Sequence, residues 1–400
     1  MENIKNNKKQ YSAGSLAGLI ISLGIGFLIY FILSSINAQS SWLDYNTIVA
    51  NASHNPFYKL IWYIMNFTEA QFYAGVFASL GVIIGGFVAW RLDVKNSKLA
   101  GFNVSYGSNL WPWVLASQLL SLFIAIFVLN FTSFFENGEY TWLPTFITVV
   151  GAPPAIMLLY GPSIKALLTG SILGGVMGFP VAFWITNNII PMLGVPGVVS
   201  NVFTMAITGI LVCGIAKALP WMKKVPSKTL NRPVKSQEET LKEMEKPLWS
   251  VRRVLADFSE AQFYGNEIAG LFVIIGACLD WILNINHGAY ASGAIPAIIL
   301  SQFVGSSVGV FLYFNKYVEK GWYGTYVPVV SVGPACVLMF GSSVGVAVTA
   351  GILGGIIGPP LAEYFCDKLP EDYHPTIGNV TSMGVTTIVV SMIIKVLPWF

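Results

Sequence analysis

The stretch Glu-Ala-Gln-Phe-Tyr occurs twice in the chain, at residues 69–73 and 260–264. Phe67-Thr68 precedes the first copy and Phe258-Ser259 the second, and a long apolar run follows each. The later segments match in the same order, as the clearest pairs show: Gln118 with Gln302, Pro154-Ala155 with Pro334-Ala335, Gly174-Gly175 with Gly354-Gly355, Asn201 with Asn379, and Lys217 with Lys395. The sequence therefore predicts an internal duplication.

The composition places the chain in a membrane. Hydrophobic residues make up 54% of it and charged residues only 10%, whereas soluble domains carry about 25% charged residues. Apolar runs near the length of a membrane-spanning helix recur throughout. We predict an all-α polytopic membrane protein of about 11 spans, one N-terminal helix plus two five-span repeats, with spans near residues 13–33, 70–90, 110–131, 143–160, 166–185, 202–221, 261–283, 295–314 and 326–340, and two more toward the C-terminus.

The first apolar run follows Lys5, Lys8 and Lys9. A signal peptide cleaved after Ala38 is the rival interpretation. The run is longer than the usual apolar region of a signal peptide, which favours a retained helix.

The number of spans per repeat predicts the topology. Five is odd and the connecting linker contains no apolar run, so the second repeat enters the membrane from the side where the first left it. The repeats are then inverted. The predicted parts are a tail, first helix and external loop (1–65), repeat 1 (66–222), a cytoplasmic surface linker with a short helix near 238–245 (223–256), and repeat 2 (257–400).

The basic residues test this topology independently. With a cytoplasmic N-terminus and an external C-terminus, all of the 22 lysines and arginines except Lys59 and Lys395 fall on the cytoplasmic side. Short cytoplasmic loops of membrane proteins are enriched in these residues. We therefore expect a multi-pass protein of the cell membrane.

Prolines interrupt the predicted spans 4 and 9. Pro153-Pro154 and Pro334 follow β-branched stretches, and proline suits the first turn of a helix better than its interior. We expect extended peptide followed by half-helices that begin near Pro154 and Pro334. Their N-termini would offer N–H groups to a ligand at mid-membrane depth. A kinked but continuous helix is the alternative.

Ionisable and paired polar residues supply the candidate binding site. Glu267, one turn into helix 7 and beside Asn266, fits a contact for a coupling ion or substrate, or an interface residue that reaches water. Polar residues that recur in both halves either face a solute path or hydrogen-bond neighbouring helices. The substrate-binding candidates are Gln118, Gln302, Pro154, Pro334, Ala155, Ala335, Asn201, Asn379, Thr204, Ser382, Thr208, Thr386, Asn266 and Glu267.

The duplicated stretch itself has two interpretations. Thr68 with Gln71, and Ser259 with Gln262, fit helix-capping boxes in which the hydroxyl caps the helix and the amide returns to it. Alternatively the stretch forms gates, with Tyr73 and Tyr264 flanking the outer and inner mouths of one pathway. The gate candidates are Glu69, Tyr73, Glu260 and Tyr264.

Inverted repeats are typical of secondary transporters. We expect a permease that moves a small polar or organic solute by alternating access, coupled to H⁺ or Na⁺ through Glu267. A passive channel or permease component, and a membrane-embedded enzyme or scaffold, are the alternatives. No catalytic triad or metal-ligand set stands out, because His54, His287 and His374 fall in loops.

The expected partners follow from this interpretation. They are a small-molecule solute and the lipid bilayer, without nucleic acid. The four cysteines form no CxxC pair, so neither a metal nor another cofactor is expected beyond the coupling ion. A homodimer is compatible with the sequence.

Overall fold

A computed structural model describes residues 13–36, 42–227, 230 and 236–398. Lys5, Lys8 and Lys9 of the tail, Ala38 and Trp399 lie outside these residues. Every regular element within them is helical, and the α-helices are α1 (Leu16–Ser35), α2 (Tyr45–Asn51), α3 (Pro56–Met65), α4 (Val76–Val94), α5 (Trp111–Phe123), α6 (Ile147–Val150), α7 (Ala152–Tyr160), α8 (Ile164–Asn188), α9 (Ile190–Leu193), α10 (Val198–Ala218), α11 (Gln237–Met244), α12 (Pro247–Asp257), α13 (Glu267–Leu283), α14 (Ile295–Leu312), α15 (Phe314–Lys320), α16 (Val332–Phe340), α17 (Val344–Cys366) and α18 (Thr376–Val396).

Eight helical stretches of the described chain are long and apolar enough to cross a membrane. They are Leu16–Ser35, Val76–Val94, Trp111–Val128, Ile164–Leu193, Val198–Ala218, Ile295–Leu312, Val344–Cys366 and Thr376–Val396. These lengths and compositions are those of a polytopic membrane protein. The other three predicted spans fall on α13, which has 17 residues, and on two shorter apolar stretches, Ile147–Tyr160 and Val327–Phe340.

The duplicated stretch does not begin the long helices that were expected from residues 70 and 261. Each copy forms a short 3₁₀ turn that ends at Phe72 or Phe263, with φ of 66° and 64°. A residue with such a left-handed backbone cannot continue a right-handed helix. The long helices α4 and α13 therefore start later, at Val76 and Glu267.

The predicted capping boxes are consequently wrong. The Thr68 hydroxyl lies 2.8 Å from Ser79 Oγ inside α4, and the Ser259 hydroxyl donates to the Asn266 carbonyl at 2.9 Å. Both side chains tie the 3₁₀ turn to the start of the following helix. They stabilise a turn and leave the helix N-termini to other groups.

The two proline-containing segments are both interrupted. The breaks lie at Gly151 (φ −98°, ψ −128°) and Ser331 (φ −149°, ψ −82°), and α7 and α16 begin at the next residue. The expectation of extended peptide before each break is wrong. A single helical turn, α6 or the 3₁₀ turn Val327–Val330, precedes it instead, because a proline in a first turn does not prevent a separate helical turn upstream.

The expected surface linker is only partly correct. The helix predicted near 238–245 is present as α11, which Ser236 and Glu239 cap reciprocally. The next helix, α12, packs into the protein and buries Trp249 and Val254. This helix is amphipathic rather than apolar all round. The sequence therefore contains no continuous apolar run at α12 that would have predicted its burial.

Glycines allow α8 and α17 to pack directly against the interrupted segments. A Cβ atom at Gly174 would overlap the ring of Pro153, and one at Gly354 would lie 2.9 Å from Pro328 Cβ. Small residues allow such close approach between membrane helices. The proline breaks are thus held in place by the glycine faces of their neighbours.

We predict that Gly174→Ala lowers the free energy of unfolding by about 1–3 kcal/mol, because the rigid proline ring cannot move aside and overpacking strains the contact. Thermal unfolding of the purified protein in detergent measures the effect. Gly24→Ala in α1 is the control, since no atom lies within 4 Å of a Cβ at that position. Equal melting temperatures for the two variants would contradict the packing argument.

Candidate functional site

A pair of buried glutamines joins the two copies of the duplicated stretch. Gln71 donates to Gln262 Oε1 at 2.5 Å, and Gln262 donates back to Gln71 Oε1 at 2.8 Å. Each amide also donates to a backbone carbonyl two residues before the other copy: Gln71 to Phe258 at 2.9 Å and Gln262 to Phe67 at 2.6 Å. The side chains are fully buried. The two copies of the duplicated stretch are therefore joined by a reciprocal polar contact.

A second pair of glutamines extends this contact. Gln118 donates to the Gln262 carbonyl at 3.1 Å and Gln302 to the Gln71 carbonyl at 3.0 Å. They accept hydrogen bonds from Tyr264 and Tyr73, respectively. These two tyrosines have 0% exposure. The structure thus places both rings inside the protein, and not at the mouths where the sequence analysis expected them.

A central cavity of about 50 Å³ lies beside the paired turns. It is lined by His374 and by residues at matching positions of the two halves of the sequence. These pairs are Glu69 and Glu260, Ala70 and Ala261, Phe72 and Phe263, Tyr106 and Tyr290, Phe146 and Tyr326, Val150 and Val330, Val198 and Thr376, Asn201 and Asn379, Val202 and Val380, and Met205 and Met383.

Four aromatic residues of the cavity wall have an unusual backbone. Phe72, Phe263, Tyr106 and Tyr290 have φ between 57° and 66°. This region is sterically unfavourable for bulky side chains and is found mainly where the surrounding structure enforces it. Such strain is concentrated at functional sites in proteins. The surrounding structure therefore holds this part of the cavity wall in an unfavourable backbone conformation.

A wider cavity of about 400 Å³ adjoins the central one. The two share Phe72, Asn201, Val198 and Tyr290. The wider cavity reaches the surface near Met339, which is 41% exposed. The wider cavity therefore lies between the protein surface and the Glu69 side of the central cavity.

The carboxylate of Glu260 has a cationic partner and two further hydrogen-bond donors. Arg253 lies 2.6 Å from it, Tyr106 donates to it at 2.9 Å and Trp322 at 3.1 Å. Arg253 also pairs with Asp257 at 2.7 Å, and both side chains are almost completely buried. Buried charges are stable only when they are paired and hydrogen-bonded. This cluster ties α12 to the second copy of the turn.

The carboxylate of Glu69 is different. It is equally buried, at 2% exposure, but Trp142 is the one side chain in the described chain that donates to it. Among the described residues, no lysine, arginine or histidine pairs with it. The positions that match Arg253 and Asp257 hold Trp62 and Asn66, which form a neutral network.

The neutral network is centred on a threonine. Trp62 donates to Thr145 Oγ1 at 3.1 Å, and Thr145 donates to Asn66 Oδ1 at 2.7 Å. In the other half, Thr325 donates to Asp257 at 2.8 Å instead. Matching residues thus have a similar arrangement on the two sides of the cavity, but the two sides differ in charge.

His374 lies in the loop between α17 and α18, on the Glu260 side of the cavity. Burial lowers its pKa to about 4, so the imidazole is neutral near pH 7. Its Nδ1 atom accepts from the Thr376 amide at 3.2 Å, and its ring packs against Phe263. The histidine therefore adds no positive charge to the cavity.

The structure brings some of the predicted site residues together. Asn201 and Asn379 line the central cavity, as do Glu69 and Glu260, and Ala335 lines the wider one. The remaining candidates border neither cavity: Gln118, Gln302, Pro154, Pro334, Ala155, Thr204, Ser382, Thr208, Thr386, Asn266 and Glu267.

Glu267 was expected to contact a coupling ion, but it is already paired. Arg252 lies 2.7 Å from its carboxylate, and the Phe102 amide donates to it at 2.7 Å. Asn266 caps α13 by accepting from the Ile268 and Ala269 amides. Both residues secure the start of α13, and neither faces the cavity.

The sequence search missed Trp142, Trp322, Tyr106 and Tyr290. A signal existed, since the tryptophans precede Pro154 and Pro334 by the same number of residues. The tyrosines stand equally far before the prolines that open α5 and α14. Arg253 gave no such signal because its match is Trp62. Its role depends on how α12 packs.

Comparisons with protein-family models, curated proteins and solved structures found no match. The functional argument therefore rests on the residues of this chain.

We predict that Gln71→Met and Gln262→Met are coupled. Each single change leaves buried donors and acceptors of the other amide unpaired and lowers the free energy of unfolding by about 1–3 kcal/mol. The double variant removes both amides, so its loss is smaller than the summed single losses by about 0.5–3 kcal/mol. Denaturation of all four proteins in detergent measures this double-mutant cycle, and strictly additive losses would disprove the coupling.

Proposed function

We propose that this protein is a secondary transporter that moves a small solute through the central cavity by alternating access. The observation that carries the proposal is the composition of the cavity wall, where residues at matching positions of the two halves stand in pairs. In inverted-repeat transporters the solute site lies at the repeat interface near mid-membrane. The 11 spans and the inverted repeat are part of this proposal.

Paired contacts support the inverted repeat. The bond from Tyr73 to Gln302 is matched by that from Tyr264 to Gln118, and the Gln71–Gln262 pair is reciprocal. Such exchange of equivalent partners is what a two-fold relation between the halves requires. A pseudo-two-fold axis would then pass between the paired turns.

The difference between the two sides supports alternation. On the Glu260 side, Arg253, Tyr106 and Trp322 converge on the carboxylate. On the Glu69 side, the wider cavity adjoins the central one. With a cytoplasmic N-terminus this conformation would be open to the outside. The opposite conformation would open the Glu260 side and close around Glu69.

Cysteine accessibility tests the proposal with a matched pair of positions. Val198 and Thr376 occupy the first position of α10 and α18, and both line the central cavity. In a protein whose four native cysteines are replaced, we expect Val198→Cys to react with a thiol reagent added outside. Thr376→Cys should react poorly with a reagent added outside. It should react faster with a reagent on the inside when the protein adopts the inward-facing conformation.

The outcome also separates carrier from channel. A carrier exposes the two positions alternately. In the double variant Val198→Cys with Thr376→Cys, locking the thiol at position 198 with a bulky reagent should therefore reduce labelling of position 376 from inside by severalfold. Gly24→Cys in α1 serves as the lipid-facing control. Simultaneous labelling of both positions from opposite sides would favour a passive channel and count against alternating access.

A further inference from the structure

We infer that the solute is a small organic cation whose positive charge is held by Glu69. This inference rests on the proposed function, because it names the substrate class of the same cavity. The inference is based on the difference between Glu69 and Glu260, two carboxylates at matching positions of the cavity wall. Glu260 pairs with Arg253, which it shares with Asp257, whereas no cation within the described part of the chain pairs with Glu69.

The charge of the two carboxylates is the first step. Both side chains are 2% exposed and line the central cavity. Arg253 offsets Glu260 at 2.6 Å, but Trp62 stands at the matching position beside Glu69. A buried carboxylate without a cation is unfavourable, and a bound cation removes that penalty. Without a cationic partner among the described residues, burial raises the pKa of Glu69 to about 8, and a cation bound beside it would stabilise the ionised carboxylate.

The walls decide which kind of cation fits. Trp142 donates to Glu69, and its ring lies 6.5 Å from that of Tyr290, centroid to centroid. Trp142 lines the wider cavity, Phe72 and Tyr290 line both cavities, and Phe263 lines the central one. Aromatic faces attract organic ammonium groups, and cages of this type bind quaternary ammonium ligands. A proton needs only the carboxylate, and a hard metal cation prefers several oxygen ligands. The aromatic walls suit an organic cation.

The route supports the same class of solute. The wider cavity leads to the Glu69 side and is lined by Trp142, Tyr290 and Phe72 as well. No arginine, lysine or histidine borders that wider cavity within the described part of the chain. A cation would therefore meet aromatic surface and one carboxylate along its path, and no repelling charge.

Binding to the purified full-length protein tests the inference without requiring transport. The probes are methylammonium, tetramethylammonium and choline, with 3,3-dimethylbutan-1-ol as the neutral isostere of choline and acetate as the anion. Isothermal titration calorimetry should show at least one of the three cations binding at least tenfold more tightly than the isostere and acetate. Glu69→Gln should lower that affinity at least tenfold.

Two further variants separate charge from folding. Glu69→Asp keeps the charge and should retain more affinity than Glu69→Gln. Glu363→Gln makes the same chemical change at a carboxylate that Lys316 and Lys320 neutralise away from the cavity, and it should bind the cation as the wild type does. Size-exclusion profiles and melting temperatures establish that each variant is folded.

The outcomes distinguish this inference from the proposed function. Equal binding of choline and its isostere, no binding of any of the three cations, or full affinity in folded Glu69→Gln would overturn the cation assignment. Uptake of a neutral solute driven by a pH gradient and lost in Glu69→Gln would also overturn it, while leaving transport intact. Tight cation binding together with simultaneous access from both sides would instead support the cation site and contradict the carrier mechanism.

Discussion

The reciprocal bond between the amides of Gln71 and Gln262 is the contact on which the rest of the site depends. Buried amides are stable only when their donors and acceptors are paired, and these two satisfy each other and a carbonyl of the opposite turn. The pairing fixes the two 3₁₀ turns against one another. It thereby places Glu69 and Glu260, two residues earlier in each turn, on the wall of the same cavity.

The two sides of the cavity have matching residues in a similar arrangement, but their charged residues differ. The turns, the tryptophans and the threonines have the same arrangement on both sides, but Arg253 and Asp257 replace Trp62 and Asn66. The proposed carrier would need two conformations of similar free energy, which a near-symmetric arrangement favours. The charge difference would make the two sides distinguishable to the proposed cationic solute.

The errors of the sequence analysis have a common physical origin. Apolar runs and prolines located the helices and the breaks at Gly151 and Ser331 closely, because hydrophobicity and proline geometry act locally. The helix starts at Val76 and Glu267 were missed, since Phe72 and Phe263 adopt a backbone that phenylalanine seldom takes. Local hydrogen bonds of each turn and the contacts between the two turns together hold that backbone. The buried face of α12 was missed for a similar reason, because packing against α1 and α14 creates it.

The sequence by itself determined the membrane class, the helical content, and the pairs Glu69 with Glu260 and Asn201 with Asn379 as candidates. Composition and repetition are properties of the chain and need no packing to be visible. The tertiary structure decided which candidates face the cavity. It directed Gln118, Gln302 and both tyrosines into internal hydrogen bonds, and it paired Glu267 with Arg252. It also supplied Arg253 to one carboxylate of the cavity and left the other with a tryptophan. That choice depends on distances between distant residues, which only the folded chain sets.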